Sequence, residues 1–359
     1  MAKKTRDKGS GAIYQRTNGT WAATIELPPG PGGKRRRKPI YGKTRRDVLG
    51  KLREYQTELT KTGDLPTANM TTETWLRYWL ENILAPEVAP NTLKGHRSVC
   101  TNHLMPNIGS IRLDKLTADK VRDMFETMRA TPRYQRHRKP GFVPAPGEEV
   151  PTISDAYCGT AFDSLSLALT SAVANHKMVR NPMEAVARPR AVVAEQMAMT
   201  ADQAIQFLKW CAQDMSRAVW AVFLLTGARR GEILGLEVER VTDVLDLSWQ
   251  LQRISSIDGA RRDYEYRHIG ATLYLTRPKS KSGWRIVPLV EPLESLMRMV
   301  IGDRTSGLVF ERPEGGPWYP DDATAAFKAA LKSAGIPGNI VLHGTRHTTI
   351  DLLYLSGVP

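Results

Sequence analysis

The spacing of apolar residues changes character several times along the chain, and each change marks a segment of different build. Ala12 to Arg16 and Trp21 to Leu27 read as strands on either side of Thr17-Asn18-Gly19-Thr20, and Asn-Gly between strand-like runs signals a hairpin because both residues tolerate positive φ. A Pro-Pro-Gly-Pro-Gly-Gly loop leads to the run Lys34 to Lys38 and a short strand through Tyr41. Val48, Leu52, Tyr55 and Leu59 then recur at helical spacing, which predicts a helix from near Thr44 with one apolar stripe against that sheet.

Residues 63 to 70 read as a linker, and the region from 71 to 187 is helical. Trp75, Tyr78, Trp79 and Ile83 share one face, as do Val121, Met124, Phe125 and Met128. A long helix is expected from about Ser154 to Lys177, with Phe162, Leu165 and Leu169 inward, ending before Asn181-Pro182. Residues 131 to 152 break all periodicity; they hold five prolines and the basic patch Arg133, Arg136, His137, Arg138 and Lys139, a loop suited to touching a DNA backbone.

After a second linker, from Arg188 to about Gln196, Thr200 and Gln203 form a capping-box arrangement that opens a third segment. It is expected to hold a helix over Arg217 to Thr226, period-2 stretches through Leu245, Leu247, Trp249 and Leu251 and through Leu273 and Leu275, and a hairpin from Ala271 to Leu289. Helix returns at about Asp321 to Ser333 and after His343. The expected fold class is multidomain α+β, divided at 1–64, 71–187 and 197–359: a three-stranded sheet plus helix, an all-helical domain, and a mixed, mainly helical domain with a small antiparallel sheet.

Charge adds a partner to this outline. The 359 residues carry a formal net charge of +14, and residues 1 to 64 hold 16 Lys and Arg against 6 Asp and Glu, a local net of +10. Such concentration points to a polyanion, because each phosphate neutralised releases counterions and adds sequence-independent affinity. Lys34, Arg35, Arg36, Arg37 and Lys38 are the candidate DNA-binding residues, mainly toward phosphates. The longest strongly apolar run, Ala218 to Leu225, is too short to cross a bilayer, and the basic N-terminus leads into Gly and Ser; the expectation is a cytoplasmic protein with no membrane partner. Cys100, Cys158 and Cys211 are widely spaced and read as buried thiols.

Three motifs carry the chemistry. In Thr226-Gly-Ala-Arg229-Arg230-Gly-Glu232, a helix ends at Gly227 and presents Arg229 at a turn, where a planar guanidinium can grip two phosphate oxygens at once. Pro278 to Leu289 reads as a hairpin whose tip carries Lys279 and Lys281. In His343-Gly-Thr-Arg346-His347, His343 and Arg346 stand three apart and share a helical face.

In this order, after a basic sheet segment and a helical segment, the motifs resemble the tyrosine recombinase (phage integrase) family over nearly the whole chain. The resemblance implies an arm-type DNA-binding domain at 1–64, a core-binding domain at 71–187 and a catalytic domain at 197–359. It implies Arg229 and Arg346 as catalytic arginines, His343 as the catalytic histidine, Glu232 in support, and Lys281 as the hairpin lysine with Lys279 the alternative. The implied reaction is site-specific recombination between attachment sites: a tyrosine hydroxyl attacks a phosphodiester, forms a 3′-phosphotyrosyl link and frees a 5′-hydroxyl, with no metal and no cofactor. The implied partners are double-stranded DNA with core-type and arm-type sites, further copies of the chain as a tetramer on DNA, and a host DNA-bending protein or directionality factor in a bacterial cell.

In one respect the chain departs from the family. The nucleophilic tyrosine is expected a considerable stretch beyond His-x-x-Arg, yet the last residue is Pro359 and the only tyrosine after Arg346 is Tyr354. Eight residues along a continuous helix advance it by about 12 Å, away from the phosphate, and its neighbours Leu352, Leu353 and Leu355 read as a core stripe. Two expectations follow. The sequence is a C-terminally truncated piece of a recombinase, or it is a cleavage-incompetent DNA-binding protein that occupies recombination sites or inhibits an intact integrase.

Overall fold

The computed structural model describes residues 13–27, 35–62, 70–133, 151–191, 198–278, 283–355 and 357. The chain divides into two compact units, residues 1–85 with 92–192, and residues 86–91 with 193–359.

The first unit opens with an antiparallel sheet, β1 (Tyr14–Gln15), β2 (Trp21–Leu27) and β3 (Arg36–Gly42), in that order. Gly19 at φ +79° closes the first turn by donating to Arg16 O at 2.9 Å. The third strand takes in part of the basic run, pairing Leu27 with Arg36, Glu26 with Arg37 and Ile25 with Lys38. Helix α1 (Arg45–Thr62) starts at a reciprocal cap in which Asp47 N–H donates to Thr44 Oγ and Thr44 N–H to the Asp47 carboxylate, both at 3.1 Å. Its buried Val48 and Leu52 pack on Ala23, Ile25, Leu27 and Ile40, with Tyr55 and Leu59 at the margin.

The remainder of this unit is helical: α2 (Thr72–Tyr78) running into a π-helical turn at Trp79–Leu84, α3 (Pro90–Val99) continuing likewise through Cys100–Leu104, then α4 (Met105–Ile108), α5 (Ala118–Ala130) and α6 (Asp155–Ala174). Trp75 and Trp79 are buried, and the Trp75 indole N–H donates to Ala168 O on α6 at 2.8 Å. Tyr78 does not share their face; it is 48% exposed. The buried face runs through Thr72, Trp75, Leu76, Trp79 and Leu80, which leaves Tyr78 on its flank with its ring tilted against Trp75. The basic residues 136–139 of the long loop lie outside the described residues.

The second unit holds α7 (Ala201–Cys211), α8 (Ala218–Thr226), α9 (Arg230–Leu234), strands β4 (Val244–Asp246), β5 (Gln250–Arg253), β6 (Tyr266–Gly270), β7 (Leu273–Thr276) and β8 (Ile286–Pro288), then α10 (Leu293–Ile301), α11 (Pro320–Ser333) and α12 (Gly344–Leu355). Helix α8 is apolar on every side, and Ala218 through Leu224 are all buried, as a helix at the centre of a domain must be. It packs against α7, α9, α10 and α12. Thr200 and Gln203 form a complete capping box on α7.

One expected pairing is corrected. The stretch from Ala271 to Leu289 is not a hairpin: β7 lies between β5 and β6, while β8 pairs with β4 through Val244–Pro288, Leu245–Val287 and Asp246–Ile286. Both edges of β7 are already hydrogen-bonded, and Pro278 follows without an N–H to extend a ladder, so the chain crosses to a second sheet.

Candidate active site

The site is built around the end of α8. Gly227 terminates that helix in the left-handed region (φ 56°, ψ 25°), its N–H donating to Phe223 O at 3.0 Å. A side chain there would also meet Thr349 of α12, whose atoms lie 3.1 to 3.2 Å from where a Cβ would stand. The Thr349 hydroxyl is 2.7 Å from Leu224 O and 2.8 Å from Thr345 O, which ties α12 to the last turn of α8.

Two residues on, Arg229 caps the short helix α9. Its backbone N–H donates to Glu232 Oε2 at 2.8 Å and its Nη1 to Glu232 Oε1 at 2.9 Å, so the first arginine is fixed by main chain and side chain alike. The Glu232 side chain is 1% exposed, whereas that of Arg229 is 50% exposed. A buried carboxylate needs charge compensation, and a second guanidinium completes it: Arg285 Nη2 stands 2.9 and 2.6 Å from the two Glu232 oxygens. Glu232 thus orients arginines and backbone. The neighbouring Arg230 turns away, donating through Nη1 to Pro320 O at 2.9 Å and to the Thr324 hydroxyl at 2.7 Å.

From the other side α12 supplies Arg346, whose Nη1 donates to Gly227 O at 3.0 Å. His343 stands one residue ahead of the helix and accepts the Arg346 N–H through its carbonyl at 3.2 Å. Desolvation first, then the positive charges of Arg285 and Arg229, hold Arg346 below the usual arginine value, with Glu232 opposing. His343 is likewise lowered, by partial burial and then by His347, Arg346 and Arg229. Three guanidiniums and a histidine biased toward its neutral form therefore share one positive field. Such an arrangement can hold a phosphate and accept a proton beside it.

The structure brings Arg229, Glu232, His343 and Arg346 together; Lys279 and Lys281 lie outside the described residues. Arg285 and His347, whose ring meets that of His343 edge-on at 5.6 Å, were not singled out by the sequence. No local signal marks Arg285, because its partner is 53 residues away. The core stripe expected around Tyr354 holds only at Leu352, which is half-buried and packs on the core: Tyr354 is 77% exposed and Leu353 and Leu355 are exposed with it, because these last turns of α12 run past Thr345, Thr348 and Thr349, where the helix is buried.

Of the basic run, Lys34 also lies outside the described residues. Strand alternation sends Lys38 to the helix side, with its ammonium 4.2 Å from the Tyr55 ring centre and its pKa lowered by desolvation. Arg37 takes the open face, where it and Arg35 pair with Glu26. Arg36 occupies a ladder position opposite Leu27. Tyr14 and Tyr41 flank Ala22 on the open face, and Arg16 stacks on Tyr41 at 5.4 Å. Exposed aromatics interleaved with arginines suit a nucleic-acid surface.

Among the described residues no helix is long and apolar enough to cross a membrane. The model of the Phage integrase family matches residues 197–359, and that of the Phage integrase N-terminal SAM-like domain matches residues 71–128. An integrase of Saccharopolyspora erythraea is 23% identical, the match covering 99% of this chain and 90% of the relative. Among solved structures, the Tn1549 transposon integrase in complex with a circular intermediate DNA is similar at TM-score 0.63 and 18% identity, covering 81% of this chain and 89% of the other. Lambda integrase is similar as a dimer bound to a COC′ core site (TM-score 0.56, 15% identity, 99% and 90% covered) and as a tetramer bound to a Holliday junction (TM-score 0.55, 14%, 97% and 92%).

A multidomain α+β chain with these matches is a protein of the DNA-recombination class. Within that class, the chain belongs to the phage integrase family, the tyrosine recombinases.

Proposed function

We propose that the protein is a site-specific recombinase that cuts and rejoins DNA strands between attachment sites through a 3′-phosphotyrosyl link. The observation that carries this reading is the meeting of Arg229, Arg346 and His343 around Gly227. Two guanidiniums on one phosphate would stabilise the charge that grows on its non-bridging oxygens during attack. The attacking tyrosine hydroxyl forms a P–O bond, the P–O5′ bond breaks, and the departing 5′-oxygen takes a proton. His343, biased to its neutral form, would position or deprotonate the nucleophile, and the loop lysine, Lys281 or Lys279, would protonate the leaving oxygen. Tyr354, two turns beyond Arg346 and turned to solvent, is not given the nucleophile's role.

On this reading residues 1–64 engage arm-type sites, 71–187 core-type sites and 197–359 perform the chemistry, with several copies assembled on DNA as in the lambda integrase tetramer. The test uses duplexes that the protein, expressed from its whole reading frame, selects from a random pool. When such a duplex is nicked near its centre, a detergent-resistant protein–DNA adduct with a free 5′-hydroxyl is expected. Selected duplexes bound no better than random ones, or an adduct unchanged by Arg346→Ala, would reject the reading.

A further inference from the structure

We propose that Arg285 is a positioning residue for the phosphate grip, one that keeps Arg229 from closing on Glu232 with both prongs of its guanidinium. The inference rests on the reading of Arg229 as a phosphate ligand. Glu232 is buried, and two guanidiniums from different elements reach it: Arg229 from the N-terminus of α9, and Arg285 from the residue before β8. The Arg285 backbone is itself fixed, because its carbonyl accepts the Leu247 N–H at 2.8 Å. Its Nη2 touches both carboxylate oxygens, so the single charge of Glu232 is met from the sheet side. Arg229 then engages the carboxylate side chain to side chain through Nη1, and half of its side-chain surface stays open.

Remove Arg285 and the balance changes. A buried carboxylate with one cation left draws that cation into a two-pronged pair, since a fork on a carboxylate is the strongest geometry available to arginine. The same fork is what a phosphate would need. Arg285 also adds positive field at Arg346 and leaves its own Nε buried without a hydrogen-bond partner among the described residues. It is placed to neutralise Glu232 and leave net positive charge on the site side.

The experiment uses the full protein and a duplex it selects, with single phosphates replaced in turn by a neutral methylphosphonate. The wild type should lose about tenfold or more in affinity at the gripped phosphate, the range for a hydrogen bond to a charged group. Arg285→Met should shrink that loss to about threefold or less at the same phosphate, because Arg229 is diverted. Adding Glu232→Gln to Arg285→Met should restore the discrimination, and Arg285→Lys, which keeps the charge, should retain most of it. A merely structural role would weaken binding to charged and neutral duplexes equally and would not be rescued by Glu232→Gln. Full discrimination in Arg285→Met, or its loss without rescue in the double variant while the wild type discriminates, would overturn this inference alone. Absence of any sensitive phosphate in the wild type would instead remove the phosphate grip, and this inference with it.

Discussion

Arg346 donates to the carbonyl oxygen of Gly227 at 3.0 Å, so the second arginine is registered against the turn that presents the first. That turn is tight for two separate reasons, a positive φ and the approach of Thr349. Gly227→Ala should therefore cost about 2–4 kcal/mol, combining the left-handed penalty with a packing clash. Gly19→Ala is the control: it has a positive φ but nothing near its would-be Cβ, and should cost only about 1–2 kcal/mol. Urea unfolding of both variants checks this. Equal losses would mean that the approach of Thr349 imposes no constraint.

His343 predicts a pH dependence whose sign is fixed. Its folded pKa lies below the ordinary value near 6.5, from partial burial first and then from His347, Arg346 and Arg229. Protonation is therefore easier in the unfolded chain. Stability should be unaffected above about pH 6.5 and should fall as pH drops from there through the lower folded value. His103, also lowered by burial, contributes to the same slope, so the difference between wild type and His343→Gln isolates one residue. Melting temperatures between pH 5 and 7 should fall less steeply in the variant; parallel curves would refute the shift.

The charge of residues 1 to 64 predicts how binding responds to salt. Their net charge is +10, and on the open face of the sheet Arg37 and Arg16 stand with Tyr14 and Tyr41. Deleting them should weaken DNA binding and flatten the plot of log affinity against log salt by about 0.9 for each phosphate that is no longer neutralised. Arg37→Ala should flatten it by about the amount due to one phosphate. Lys38→Ala should change the slope less, because that ammonium is turned to Tyr55. An unchanged slope after the deletion would exclude the sheet as a DNA-binding surface.

What was legible in the sequence follows the reach of each signal. The Asn18-Gly19 turn, the Val48-Leu52 stripe and the apolar α8 are local patterns, and all three stand in the structure where the spacing put them. The partner of β8 was not legible, because strand alternation tells which face is buried and not which edge is free; β7 was already paired on both sides. Arg285 was missed for a related reason: an arginine after a loop looks solvated until the fold brings Glu232 beneath it. The misplacement of Tyr78 is one of angle, since two positions three apart on a helix straddle a face only if its centre falls between them.

The paired arginines make the sharpest prediction, because their neighbour Arg230 is an internal control. Affinity for duplex DNA is spread over many phosphates, so deleting one guanidinium should change it by about the tenfold that its one gripped phosphate is worth. The additional charge on the reacting phosphate, by contrast, grows only during attack, and a group that meets it there acts on rate beyond what it adds to binding. Arg229→Ala and Arg346→Ala should thus bind a selected duplex within about tenfold of the wild type while lowering formation of the detergent-resistant adduct by about a hundredfold or more. Arg230→Ala removes the same charge from the adjacent position, but its guanidinium is committed to Pro320 O and Thr324. It should lower stability, by loosening α11 from α9, and leave the rate per folded molecule within about threefold of wild type, as for a residue that does not touch the reacting phosphate. Measuring adduct formation and unfolding for all three variants separates the two roles. If Arg230→Ala abolishes the adduct in folded protein, or Arg346→Ala spares it, the cradle belongs elsewhere on this face.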